Sequence, residues 1–503
     1  MKITENISIE EIQKEYDIII GLEVHIELST EKKLFCNCKN EFTLEPNKNV
    51  CPVCLGLPGS LPVINFQAIE YFIRFASALN CEIQKYSKFD RKNYFYPDMP
   101  KNYQISQYDL PLALKGHLFL PKANKYVYLR RIHLEEDTGK SIHIGGDNLR
   151  EANWTLLNYN RAGVPLIEIV TEPVINSPEE AVEFLYLLRL TALYTNISDV
   201  KMEEGSLRCD ANISLKPKNS SNLGVKVEVK NINSFRFLYK ALVYETIRQY
   251  NLIKEGKEIV QETRGWDEKT QSTYPMRSKE ESHDYRYFPE PDLLPLNLNE
   301  NIINNFSFKG KTPLNYYIFY LQNDLSHEEI MFLLEPKELN DIYNEVINSI
   351  SNNLNSINNN LNNVNIYKEV SKFFKTYLAY LLNEKLIDIS SLSPKNISTL
   401  ITLIINKEIN TINLKDHLLN LVKKETNINK YLEDNNLLIK EDLNLVNEVI
   451  EKVLANNPQA VKDYKEGKEK ALSFLIGQVM KEVKSKAKPE TVRNIILNRL
   501  SKI

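Results

Sequence analysis

The sequence predicts an α+β protein: a large N-terminal domain built on an antiparallel sheet with a cysteine knuckle, then a helical domain, then a small helical tail domain. Three observations predict it. The first roughly 295 residues hold several runs in which polar and apolar residues alternate strictly, the period of a half-buried strand. Beyond Pro295 glycine nearly disappears, and Leu, Ile, Asn, Lys and Glu dominate, which marks a domain boundary. The stretch 465–503 carries ten Lys and Arg against four Asp and Glu, a local net of +6 in a chain whose overall net charge is −3. The expected domains are 1–295, 296–428 and 429–503.

At 503 residues the chain is too long for one core, so about two to four domains are expected. Apolar residues make up 43% and charged residues 26%, the profile of a soluble globular protein. The near-zero net charge excludes a global field for nucleic acid, so any such surface must come from local charge segregation. Met1 to Glu15 are polar and acidic, without a signal or transit pattern. No apolar run approaches the roughly 20 residues that span a bilayer, so no membrane partner is expected. The expected location is cytoplasmic, and a mature organellar chain would look the same.

The strands come first. In Gly21–Leu28, Glu23, His25 and Glu27 alternate with Leu22, Val24, Ile26 and Leu28. In 130–135, Arg131, His133 and Glu135 oppose Arg130, Ile132 and Leu134. Glu168 sits between Ile167 and Ile169. In 207–215, Arg208, Asp210, Asn212 and Ser214 oppose Leu207, Cys209, Ala211, Ile213 and Leu215. In 225–230, Lys226, Glu228 and Lys230 oppose Val225, Val227 and Val229. One such strand is an ordinary wet face with cross-strand pairs. Five whose polar faces carry acids, His, Asn and Arg point to more. Clustered carboxylates repel unless a cation lies between them, and Mg²⁺ favours carboxylates plus substrate phosphates. The pattern therefore points to a metal-assisted phosphoryl-transfer surface. With no P-loop motif, it is not a Walker-type site.

Two aromatic stretches, Asp90–Asp98 and His283–Pro289, interleave Tyr and Phe with Arg and Lys. That composition suits stacking on a base or an unpaired RNA end, or a Pro-ordered loop packed by its own rings. Farther on, Ile347, Ile350, Leu354, Ile357, Leu361 and Val364 form a helical apolar stripe inside an Asn-rich segment.

Cys36 and Cys38, then Cys51 and Cys54 twelve residues on, form a pair-and-pair arrangement suited to a tetrahedral structural Zn²⁺. Cys81 and Cys209 sit in apolar patterns and read as core residues.

Long blocks of this sequence resemble the B-type polypeptides of the tRNA-dependent glutamyl/aspartyl amidotransferase family. They include Ile20–His25, Cys51–Gly59, Lys88–Asp98, Arg131–Asp137, Asn160–Gly163 and Pro165–Ile169. Glu203–Asp210, His283–Asp292, Gly467–Ala471 and Gly477–Met480 complete the set. The resemblance implies a cradle-like, ATP-dependent kinase domain at the N-terminus. That domain would phosphorylate the side-chain carboxylate of misacylated Glu-tRNA(Gln) or Asp-tRNA(Asn). Glutamine-derived ammonia from the amidotransferase A component would then amidate it, with the C component clamping the other two together in a heterotrimer. The helical and tail domains would engage the tRNA body. The residues that match the family's ATP and Mg²⁺ site are Glu23, His25, Glu135, Glu168, Asp210 and Glu228. Lys88, Arg91 and Lys92 are candidates for phosphate or acceptor-end contacts. Asn158, Val164 and Gly265 depart from the family pattern, which has an Asp, a Thr and a larger residue there.

Two other readings compete: a zinc-containing RNA-binding scaffold without chemistry, and a carboxylate kinase acting on a free small molecule. The scaffold predicts no ATP turnover. The small-molecule enzyme predicts turnover without tRNA and leaves the basic tail unused.

Overall fold

In the computed structural model the described residues are 7–146, 152–278, 284–354, 365–409, 411, 414–439, 443–483 and 487–501. They divide into two compact units, 1–316 and 317–503.

The first unit is built on a ten-stranded sheet. Its strands are β1 (Tyr16–Glu27), β2 (Glu82–Ile83), β5 (Ala113–Leu114), β6 (His117–Leu120), β7 (Lys125–Glu136), β8 (Pro165–Thr171), β9 (Leu207–Pro217), β10 (Val227–Ile232), β11 (Glu262–Asp267) and β12 (Ser272–Ser278). β3 (Asp90–Asn93) and β4 (Tyr103–Ser106) pair in a small separate sheet with Phe288–Pro289. The main order is β12-β11-β10-β9-β1-β8-β7-β5-β2, with β6 paired to β7. The sheet is antiparallel as expected, except that β10 and β11 run parallel.

Alternation fixes which face is buried. Leu22, Val24, Ile26, Ile132, Leu134, Ile167, Ile169, Ala211, Ile213 and Val229 are buried in one core. Helices α2 (Phe66–Ala78), α3 (Pro178–Tyr194) and α4 (Phe235–Lys254) cover that face with Phe72, Phe75, Phe184, Leu188, Leu238 and Leu242. Asn65, Ser177 and Ser234 cap their N-termini through side-chain oxygens. These helices lie on the apolar face, and the opposite face carries the alternating polar side chains. Cys209 lies in this core and Cys81 packs against it, as expected.

Two strand assignments need correction. Arg130 does not share the apolar face. The β7–β8 register pairs Arg131 with Val170 and Leu129 with Thr171, so Arg130 is the extra residue of a bulge. It is exposed and its guanidinium donates two hydrogen bonds to Glu172, at 3.2 and 2.9 Å. Val225 also misses the core. β10 begins at Val227, and Val225 is exposed. A Cβ on Gly224 would stand 2.0 Å from the Leu215 carbonyl oxygen, so the chain passes against β9 there before pairing begins.

The shift in composition at Pro295 precedes the end of the first unit. Helix α5 (Glu300–Phe306) still packs on it, with Phe306 edge-on to Phe66 at 5.7 Å.

The second unit is helical. Of the expected apolar stripe, Ile347 and Ile350 are buried in the helix Lys337–Leu354, while Ile357, Leu361 and Val364 lie outside the described residues. Four last helices, Leu443–Asn456, Pro458–Lys465, Glu469–Val483 and Pro489–Leu500, share their own apolar cluster of Val446, Ile450, Leu475, Val479, Val492 and Ile496. Lys462, Lys465, Lys470, Lys481 and Arg493 are exposed on these helices. Among the described residues no helix is long and apolar enough to cross a membrane.

Candidate active site

Strand register decides what the polar face brings together. β1 lies between β8 and β9, so His25 faces Glu168 on one side and Arg208 on the other. Glu168 in turn faces His133 on β7, and Glu23 faces Asp210 on β9. The result is a continuous row of charged and ring side chains across four strands.

Glu23, His25 and Glu168 form one group whose ligand atoms lie within 4.8 Å of one another. His133, Glu135 and Glu168 form a second, and Glu168 joins the two. His25 Nε2 stands 3.3 Å from Glu168 and 3.8 Å from Glu135. His133 Nε2 lies 3.4 Å from Glu135 and 3.5 Å from Glu168. Ser106 Oγ donates to Glu135 at 2.9 Å from β4.

These groups set one another's charge. Burial alone would raise Glu168, but His133 and His25 hold it well below the usual carboxylate range. Glu135 is likewise lowered against its burial, chiefly by the bond from His133. His25 is raised despite burial because it bonds to Glu168. Glu23 is pushed up by burial and by the Glu168 carboxylate. Among the described residues its carboxylate accepts no hydrogen bond.

Asp210 and Glu228 share the face but fall outside both groups. Lys230 Nζ lies 2.6 Å from Asp210 and 3.3 Å from Glu228, and Thr263 Oγ1 donates to Glu228 at 2.7 Å. The three basic candidates also differ. Lys88 is paired with Asp90 and, at 2.6 Å, with Asp109. Arg91 donates to both Glu290 oxygens at 2.7 and 2.8 Å and stacks 4.2 Å from the Tyr103 ring centroid. Lys92 looks toward the acidic row: burial disfavours its charge, yet Glu135 and Glu168 raise it. Beside Glu23 a cleft of about 350 Å³ opens between Arg130, Thr171, Asn212, Ser214 and Lys226, floored by Gly21.

Sequence reasoning passed over His133 and Lys230, although both alternate in phase with candidates it chose. It also passed over Asp137. Asp137 is buried between Arg208, at 2.8 Å, and Arg161, at 3.2 Å, and acts on Glu27. Burial and the Asp137 charge push Glu27 up to about 8. Between its ordinary value near 4.5 and about 8 the folded protein holds a proton that the unfolded chain releases. Stability from this carboxyl therefore falls as pH rises through that window. Glu27→Gln keeps a donor toward Asp137 and removes the titration. The Tm of the variant is expected to gain on wild type from pH 5 to about pH 8 and to hold level above it; a pH-independent difference would contradict the raised Glu27 carboxyl.

The cysteine knuckle lies close by. Cys36, Cys38, Cys51 and Cys54 sulfurs lie within 4.8 Å of one another. The Cys51 and Cys54 sulfurs are 3.8 Å apart, which matches the roughly 3.8 Å edge of a tetrahedron with Zn–S bonds of about 2.3 Å. Cys54 is lowered to about 5 by the Cys36 thiol and by Lys33. Lys33 is fully buried, and Nζ donates to the carbonyls of Asn49 at 2.7 Å and Tyr159 at 3.3 Å. Leu34 N–H donates to the Gly163 carbonyl at 2.8 Å, and Gly163 N–H to that of Asp137 at 2.9 Å. The knuckle is thus tied to the Asp137 end of the acidic face.

The departures from the family pattern have local accounts. Gly265 leaves room for the Tyr274 ring, which a Cβ would meet at 2.6 Å. Asn158 accepts a hydrogen bond from Asn160 N–H at 3.0 Å. For Val164 the structure gives no account beyond its burial.

Residues 18–304 match the GatB/GatE catalytic domain and residues 352–500 match the GatB domain. The B subunit of the aspartyl/glutamyl-tRNA(Asn/Gln) amidotransferase of Carboxydothermus hydrogenoformans is 45% identical over 97% of this chain and 100% of its own. Those of Caldanaerobacter subterraneus subsp. tengcongensis and Thermoanaerobacter pseudethanolicus are each 43% identical, over 97% of this chain and 100% of theirs. With that identity carried from end to end, the chain belongs to the family of aspartyl/glutamyl-tRNA(Asn/Gln) amidotransferase B subunits, glutamine-dependent ligases of translation.

Proposed function

We propose that this chain uses ATP to activate the side-chain carboxylate of glutamate or aspartate misesterified to tRNA(Gln) or tRNA(Asn). A carboxylate oxygen attacks the γ-phosphorus, the bond to the β–γ bridging oxygen breaks, and ADP leaves. Ammonia, released from glutamine by the A component that the C component holds in place, then attacks the acyl carbon and expels phosphate. The observation that carries the reading is the row Glu23, His25, Glu168, His133 and Glu135 on one sheet face. Phosphoryl transfer needs positioning and charge neutralisation rather than a covalent catalyst.

Hard oxygen donors beside the His25 imidazole suit Mg²⁺, and an unbonded Glu23 raised by burial and by the Glu168 charge is what such an ion would relieve. Glu23, His25, Glu135 and Glu168 would hold it, with Asp210 and Glu228 as outer groups freed from Lys230. When bound, it neutralises phosphate charge. The cleft beside Glu23 leaves room for the nucleotide. Lys92 would hold a phosphate or the acceptor end, while Lys88 and Arg91 would have to exchange carboxylates to do so.

The knuckle fits a structural Zn²⁺. Four thiolates around it carry a net −2, the countercharge that buried Lys33 otherwise lacks.

The deciding experiment measures ADP release by the heterotrimer with Mg²⁺-ATP and misacylated, correctly acylated or no tRNA. Release that needs misacylated tRNA supports the reading. Release without tRNA indicates a small-molecule enzyme, and no release from a folded complex indicates a scaffold.

The tail is assigned to the tRNA body. Deleting residues 443–503 removes helices with their own core, so partner assembly is expected to survive. The combined Lys465, Lys470 and Arg493 to Glu variant should lower the slope of log affinity on log salt by about 3. An unchanged slope in filter binding would contradict the assignment.

A further inference from the structure

Beside the acidic row stands a group of aromatic residues that phosphoryl transfer does not use. Tyr108 and Tyr287 stack with centroids 4.2 Å apart and planes 10° from parallel. Tyr287 is half-buried, whereas Tyr108 is 52% exposed and needs no place in the core. The pair lies next to the carboxylate row: Ser106, two residues before Tyr108, donates to Glu135 at 2.9 Å, and burial with the charges of Glu135 and Glu168 pushes the Tyr287 phenol up to about 12, against the pull of Lys92.

Three cations surround the stack. Lys92 Nζ lies 5.0 Å over the Tyr285 ring, Arg131 Nη1 donates to the Tyr108 carbonyl at 3.1 Å, and Arg286 is exposed. Unlike Lys88 and Arg91, these three make no ion pair with any described carboxylate. Arg286 also has φ +42°, a left-handed backbone that is strained for a non-glycine residue. Asn93 holds it there: Nδ2 donates to the carbonyls of Tyr285 at 3.1 Å and Arg286 at 2.8 Å. The turn points Tyr285 and Tyr287 inward and Arg286 outward. A half-exposed flat ring beside Arg131 and Arg286, neither of them ion-paired to a described carboxylate, complements a base and its phosphodiester.

We propose that Tyr108, stacked on Tyr287, seats the unpaired 3′-terminal base of the substrate RNA, while Arg286 and Arg131 hold its phosphates. The esterified amino acid is thereby directed to the carboxylate row. This rests on the tRNA-dependent reading above and adds the residues that position the acceptor end.

The test is binding by the heterotrimer, without ATP, of uncharged tRNA that is complete or shortened by its 3′-terminal nucleotide. Stacking is worth about 1–3 kcal/mol per base, so wild type should prefer complete tRNA by about tenfold. Tyr108→Ala should erase the preference, and Tyr108→Phe should keep it. Arg286→Gly, which accepts the positive φ, should weaken binding of both RNAs and leave Tm unchanged or higher. Equal preference in wild type and Tyr108→Ala, or no preference in wild type, overturns the proposal. ADP release measured in parallel tests the kinase reading separately, because the binding comparison involves no chemistry.

Discussion

Glu23→Gln is expected to cut tRNA-dependent ADP release by about 10²–10³-fold, equivalent to about 3–4 kcal/mol in the barrier, without loss of stability. The expectation follows from its surroundings. Glu168 is bonded to His25, and Glu135 to Ser106, so replacing either disrupts a buried network. Glu23 accepts no hydrogen bond from a described residue, and burial plus the Glu168 charge already disfavour its ionised form. A neutral isostere relieves that repulsion, so Tm in metal-free buffer should stay level or rise. Groups kept for chemistry at a cost in stability behave this way. Mg²⁺-ATP should raise the Tm of wild type and have a smaller effect on the variant. Full turnover by Glu23→Gln would remove the carboxylate row from the mechanism.

Cys51→Ser or Cys54→Ser is expected to abolish binding of one zinc per chain and to lower Tm by roughly 10 °C, equivalent to about 3–5 kcal/mol. Most of that loss should come from Lys33. Its ammonium is fully buried with only carbonyl partners besides the thiols, and an uncompensated buried charge is costly. The damage should also spread. Leu34 and Gly163 link the knuckle to Asp137, so the variants should lose ADP release even where they remain folded. Elemental analysis and thermal melts of purified protein check both parts. A metal-free wild type with the same Tm as the variants would make the knuckle a packed thiol cluster instead.

Alternation in the sequence was sufficient to find the polar face, because a strand's side chains change sides at every residue. It placed Glu23, His25, Glu135 and Glu168 together correctly. It could not supply register. That His133 stands opposite Glu168, or that Lys230 sits between Asp210 and Glu228, depends on which strands are neighbours and how far each is slid. It failed where strands are irregular: at the bulge that turns Arg130 outward, and at Val225, which precedes β10. The parallel pairing of β10 with β11 was also hidden, since alternation looks the same in either direction. The cysteine cluster was legible because spacing alone brings each pair together. The partners of Lys33 come from segments far apart in the chain and left no local sign.

The position of β1 has a consequence for biosynthesis. This strand is made before both of its neighbours, 165–171 and 207–217. Neither edge of β1 can be satisfied until well over a hundred residues beyond it have been made, and the second edge waits until 207–217 follows. Meanwhile an apolar strand with open edges is exposed to any other chain nearby. Pairings so distant in sequence also fold slowly. The nascent N-terminal unit should therefore depend on chaperones until β9 emerges, and chains arrested before that point should aggregate rather than wait.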